Sequence, residues 1–146
     1  MKPDSVHILL ADDDPDDRLL TADAFAEARL VNQLHQVNDG VELFEFLHRR
    51  PPYVEAPRPG LILLDLNMPR KDGRQVLAEL KSDPDLAHIP VVVLTTSAEE
   101  EDIVRSYGLG ANSYITKPVT WVGLVHAVAV LGQYWFSLVD LPGEAT

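Results

Sequence analysis

Short, continuous apolar runs alternate along this chain with longer stretches whose apolar residues recur every three or four positions. Val6 to Ala11 is the first run, broken only by His7, and it reads as a central parallel strand. Asp14-Pro15 then opens a helix, with Asp14 suited to the cap and Pro15 to the first turn. Leu19, Ala22, Phe25 and Ala26 predict the inward stripe of that helix. Leu34 to Val37 predicts a short strand towards the sheet edge. After the turn Asn38-Asp39-Gly40, the residues Val41, Leu43, Phe44 and Leu47 mark a second helix. Leu61 to Leu64 is a third strand. A helix is expected from about Arg74 to Ser82, with Val76, Leu77 and Leu80 inward and Asp83-Pro84 ending it. Val91 to Leu94 is the fourth strand and Asn112 to Ile115 the fifth. Between them Glu99 to Asp102 opens a helix as first-turn acids that complement its dipole, and Gly108 and Gly110 close it. A last helix is expected from about Thr120 to Phe136.

Residues 50 to 60 break the rhythm. Four prolines there (Pro51, Pro52, Pro57 and Pro59) exclude a helix or a central strand, so the span predicts a long, stiffened loop. The whole pattern is βαβαβαβαβα. It demands a parallel sheet covered by helices on both faces, joined by right-handed crossovers: a doubly wound, flavodoxin-like α/β domain with strand order 2-1-3-4-5.

Composition narrows the class. At 146 residues and 46% hydrophobic content, one domain with a real core is expected. The net charge of −11 argues against nucleic acid and anionic membranes as direct partners, because both are bound through Lys and Arg. The absence of cysteine excludes disulfides, thiolate metal sites and a cysteine nucleophile. No run is long enough to span a bilayer, and the first residues lack the apolar stretch of a signal peptide, so a cytoplasmic location is expected. The histidines show no metal-ligand spacing and read as structural or surface residues.

The candidate chemistry lies at strand ends. Asp12-Asp13 follows the first strand, Asp65 the third, Thr95 the fourth and Lys117 the fifth. In a parallel sheet these ends share one edge, where ligands bind. Carboxylates, a hydroxyl and an ammonium converging there suit a divalent cation and a phosphoryl group.

The segments Leu10-Ala11-Asp12-Asp13-Asp14, Leu63 to Pro69 with Gly73, Leu94-Thr95-Thr96-Ser97, and Tyr114-Ile115-Thr116-Lys117-Pro118 stand in the order and spacing of the response-regulator receiver family, which the chain resembles over about residues 6 to 132. The resemblance implies that Asp65 accepts a phosphoryl group. It implies Mg²⁺ held by Asp13, Asp65 and the carbonyl of Asn67, with Asp12 on a metal-bound water. It assigns Lys117 and Thr95 to the phosphoryl oxygens, Tyr114 to an aromatic switch, and a cis bond before Pro118. The expected function is phosphoryl acceptance from a histidine kinase, with no enzymatic turnover beyond self-catalysed phosphorylation and dephosphorylation.

The chain from 1 to 146 is expected to be a single receiver, with a C-terminal extension over about 133–146 and no output domain. Its signal would leave by protein contact, or pass as phosphate to another phosphotransfer protein. The proline-rich insert and the aromatic tail resemble the small receivers that serve bacterial phytochrome histidine kinases. The expected last helix, with Trp121, Leu124, Val125, Val128, Leu131 and Trp135 on one side and Val122, Ala129, Val130 and Phe136 on the other, is apolar nearly all round. Such a surface predicts an interface, here a homodimer through Trp121, Tyr134, Trp135 and Phe136. Two alternatives fare worse. A haloacid-dehalogenase phosphatase needs a second acid where Asn67 stands. A flavodoxin-type electron carrier needs a phosphate loop where Asp12-Asp13-Asp14 would repel phosphate.

Overall fold

The computed structural model describes residues 7–27, 34–68, 70–96, 108, 110–111, 113–117, 119–120 and 122–123. Among them lie five strands, β1 (Ile8–Ala11), β2 (Leu34–Val37), β3 (Leu61–Asp65), β4 (Val91–Thr95) and β5 (Ser113–Thr116). They form one sheet in the order β2-β1-β3-β4-β5, with every pair parallel. Three helices are described: α1 (Pro15–Glu27), α2 (Gly40–Leu47) and α3 (Gly73–Ser82). The helix expected over 99–107, that expected over 120–136 apart from Thr120, Val122 and Gly123, the bond before Pro118, and Ser97, Trp121, Tyr134, Trp135 and Phe136 lie outside the described residues.

β1, β3 and β4 are buried along their whole length, as strands flanked on both sides and covered on both faces must be. One face carries Leu9, Ala11, Ile62, Leu64, Val91 and Val93, packed with Leu43, Phe44, Phe46 and Leu47 of α2 and Val76, Leu77 and Leu80 of α3. Right-handed crossovers put α1 on the other face, because β1 to β2 runs opposite to β2 to β3.

The inward side of α1 differs from the expectation. Leu19 is 62% exposed and Ala26 is exposed, whereas Thr21, Ala24 and Phe25 are buried. The helix is anchored by Phe25, and residues i−4 and i−8 from it share its side. These are Thr21 and Asp17, so the inward stripe carries polar groups into the sheet edge. The apolar pattern placed Phe25 correctly, with Ala22 half-buried, but was wrong for Leu19 and Ala26.

Local chemistry fixes the helix starts. Asp14 Oδ1 accepts from the N–H groups of Asp16 and Asp17, which makes it the cap expected for α1. Asp39 caps α2 by accepting from the Glu42 N–H. Asp72 and Gln75 form a reciprocal capping box at α3. Gly73 permits α3 to start against the end of β3. A Cβ there would lie 2.5 Å from the Asp65 carbonyl oxygen and 2.6 Å from Leu66 Cα. The span from His48 to Gly60 contains no helix or strand, and Tyr53 within it packs on the core. β5 covers Ser113–Thr116 and pairs Thr116 with Thr95, while Asn112, expected to start it, lies outside the described residues.

Candidate functional site

The carboxyl ends of β1, β3, β4 and β5 bring the predicted residues to one sheet edge. Asp12 follows β1 and is fully buried, Asp13 beside it is exposed, and Asp65 ends β3 with 3% exposure. Asp12, Asp13 and Asp65 each offer a carboxylate oxygen within 4.8 Å of the others. Asp12 and Asp65 sit at equivalent points on neighbouring parallel strands, where Ala11 is level with Leu64. Two carboxylates are thereby forced together by register.

Lys117 enters from the end of β5. Its backbone N–H donates to the Thr95 carbonyl at 2.8 Å, which fixes its start beside β4. Its ammonium stands 3.1 Å from Asp12 Oδ2 and 3.1 Å from Asp65 Oδ2. The same ammonium donates to Asp17 Oδ2 at 2.8 Å. Asp12 Oδ1 accepts from the Asp14 N–H, and Asp65 Oδ1 accepts from the Asn67 N–H. Among the described residues, Asp12 Oδ2 has the ion contact but no aligned hydrogen bond, and the buried hydroxyl of Thr95 has no hydrogen-bond partner. Unsatisfied buried polar atoms carry a free-energy cost and mark places where a ligand atom is accommodated.

Electrostatics follow from this crowding. Burial, with the Asp12 charge behind it, pushes the Asp65 carboxyl up to about 7 against the opposing pull of Lys117 and the Asn67 N–H. Burial alone would lower the Lys117 ammonium, but the Asp17 hydrogen bond and the Asp65 and Asp12 charges outweigh it and hold it above its ordinary range. One ammonium among three negative groups leaves net negative charge, the condition under which a hard divalent cation binds oxygen ligands.

Several neighbours were not singled out by the sequence. Asp17 is one. Arg18 donates through Nη1 to the Asp12 carbonyl at 2.7 Å. Arg70, in the left-handed region at φ 67°, pairs with the α2 cap Asp39 at 2.7 Å and ties the loop after β3 to α2. Asn67 is exposed next to Asp65. Tyr114 is half-buried, and its level partner is Val93, so it shares a sheet face with Thr95 two residues further along β4. His7 and His35 meet at 3.0 Å at the opposite end of the strands, consistent with structural roles.

The sequence profile of the response regulator receiver domain matches residues 8–129. The chain belongs to this family. Response regulator Rcp1 of Synechocystis sp. is 44% identical to this receiver over 135 residues, covering 92% of each chain. The crystal structure of the Mn²⁺-bound form of Rcp1 superposes with a TM-score of 0.72 at 43% identity, over 94% of this receiver and 99% of that chain. The bacteriophytochrome response regulator AtBRR gives a TM-score of 0.83 at 40% identity, over 89% and 94% of the two chains. The phosphorylated cyanobacterial phytochrome response regulator RcpA gives 0.73 at 45% identity, over 94% and 98%. This receiver is thus related to phytochrome response regulators. No helix among its described residues is long and apolar enough to cross a membrane.

Proposed function

We propose that this receiver takes a phosphoryl group from a histidine kinase onto Asp65, in a Mg²⁺-dependent reaction, and signals by protein contact. The observation that carries the reading is that Lys117 Nζ stands 3.1 Å from both the Asp12 and the Asp65 carboxylates, which are buried at adjacent strand ends. In the transfer, an Asp65 carboxylate oxygen attacks the phosphorus of a phosphohistidine. The O–P bond forms as the P–N bond breaks, and the leaving imidazole nitrogen keeps the electron pair and takes up a proton. The product is an acyl phosphate, and the protein's task is mostly positioning and charge neutralisation. Asp65 is placed for attack by its strand end and by the Asn67 N–H on Oδ1.

The donor set fits the metal. Asp12, Asp13 and Asp65 supply only oxygen, and Asp12 Oδ2 is buried with no aligned hydrogen bond. The carbonyl of Asn67 would complete the protein ligands, and Asp12 would hold a metal-bound water. Bound there, Mg²⁺ neutralises charge on the phosphoryl oxygens. Lys117 pairs with a phosphoryl oxygen, and the unpartnered Thr95 hydroxyl donates to another. Movement of Thr95 would vacate space on the face it shares with Tyr114, which would follow it inward.

The likeness to AtBRR and RcpA points to a phytochrome-type histidine kinase as donor, in the cytoplasm. The apolar sequence pattern over 120–136, with Trp121, Tyr134, Trp135 and Phe136, supports a homodimer, checked by light scattering of the wild type against a Trp135→Ala, Phe136→Ala variant. The deciding experiment for the function is labelling with phosphoramidate and Mg²⁺. Wild type should gain one phosphoryl group and Asp65→Asn none. Equal labelling of the folded variant would remove Asp65 from this role.

A further inference from the structure

We propose that Asp17 is a positioning residue that holds Lys117 at the site through the phosphorylation cycle. The proposal rests on the phosphoacceptor reading of Asp65. An ammonium has three N–H donors. In this receiver they face three carboxylates: Asp17 Oδ2 at 2.8 Å, Asp12 Oδ2 at 3.1 Å and Asp65 Oδ2 at 3.1 Å. Transfer converts the Asp65 carboxylate into an acyl phosphate, so the carboxylate oxygen that faces Lys117 gives way to a phosphoryl oxygen. Asp12 is committed to the cation. Asp17 alone of the three carboxylates is neither phosphorylated nor assigned to the metal, so its hold on Lys117 is the one the reaction leaves unchanged.

The fold builds this contact deliberately. Asp14 caps α1 and receives the N–H groups of Asp16 and Asp17, fixing the first turn. Buried Phe25 and Thr21 set the rotation of the helix, and Asp17, one turn before Thr21, shares their side. Thr21 Oγ1 donates back to the Asp17 carbonyl at 3.0 Å. The side chain keeps only 27% exposure, which shields its charge-assisted hydrogen bond from water. The contact closes across 100 residues of sequence and joins α1 to the end of β5.

The test uses the full chain, phosphoramidate and Mg²⁺. Asp17→Ala should lower the maximal labelling rate roughly tenfold, the size expected for one charged hydrogen bond, at an unchanged half-saturating donor concentration. Asp17→Asn keeps an acceptor oxygen and should recover to within about threefold of wild type. Asp16→Ala removes an exposed acid from the same helical turn and should match wild type. A ¹H–¹⁵N ammonium resonance of Lys117 should be protected from solvent exchange in wild type and Asp16→Ala, and lost in Asp17→Ala. If Asp17→Ala does not fold, Asp17→Ser carries the same comparison. Equal rates and an unchanged Lys117 resonance in the Asp17 and Asp16 variants would overturn the proposal. Equal losses in both would reduce it to helix-end charge and overturn it as well. Failure of wild type itself to be labelled would instead strike the phosphoacceptor reading.

Discussion

At the scale of single residues, the strand-end groups were legible because each follows a continuous apolar run. Asp12, Asp13, Asp65, Thr95 and Lys117 are brought to one edge by parallel register, which period-two reading anticipates. Asp17 was not legible for a specific reason. Its place depends on the rotation of α1, and the apolar residues Leu19 and Ala26 suggested the wrong side. Thr21, a polar residue buried under α1, is the anchor that pattern reading passes over. The pairing of His7 with His35 was likewise hidden, since no periodicity links residues on neighbouring strands before the register is known. That pair carries a pH prediction. Burial, and then the neighbouring His7, lowers the His35 imidazole from its ordinary value. Below about pH 6.5 the unfolded chain takes up a proton that folded His35 resists, so this contribution is present above that pH and lost as pH falls. Denaturant midpoints measured from pH 7.5 to 5 should therefore fall more gently for His35→Gln than for wild type. Parallel curves would show that the pair has no linkage to folding.

At the scale of elements, the described strands and helices fell within a residue or two of expectation, and the proline-rich span stayed a loop. The starts of helices were the more instructive part. Asp72 and Gly73 are adjacent at the head of α3, yet they act on different things. Asp72 accepts the Gln75 N–H of α3, and its replacement by Ala should cost about 1 kcal/mol of stability. Labelling of Asp65 should persist in that variant. Gly73 instead lets α3 approach the backbone that carries Asp65, at 2.5 Å from a would-be Cβ to the Asp65 carbonyl oxygen. Backbone cannot yield as a flexible side chain can. Gly73→Ala should cost about 1–3 kcal/mol and also slow labelling, because relief requires moving the end of β3. Chemical denaturation with labelling rates on both variants separates the two. A Gly73→Ala protein labelled at the wild-type rate would show that the close approach is not transmitted to the site.

At the scale of the whole molecule, charge decides how a metal effect must be read. The chain carries a net charge of −11, so any divalent salt relieves some self-repulsion and stabilises the fold without a site. A site predicts more than this. Binding confined to the folded state adds RT ln(1 + [L]/Kd), about 1.4 kcal/mol at ten times the dissociation constant, or a few degrees in melting temperature for a domain of this size. A site that leaves several waters on the ion is expected to bind with a Kd on the order of millimolar. The diagnostic comparison is therefore Mg²⁺ against NaCl of matched ionic strength, in wild type and in Asp13→Ala. Asp13 is the exposed member of the cluster, so its loss disturbs packing least while removing one oxygen ligand. Wild type should gain stability with Mg²⁺ beyond the NaCl effect, with saturation, and Asp13→Ala should keep only the part that NaCl reproduces. A wild-type response identical in the two salts up to about 10 mM Mg²⁺ would mean that Asp12, Asp13 and Asp65 are crowded by register alone, with Lys117 as their counterion and no metal site between them.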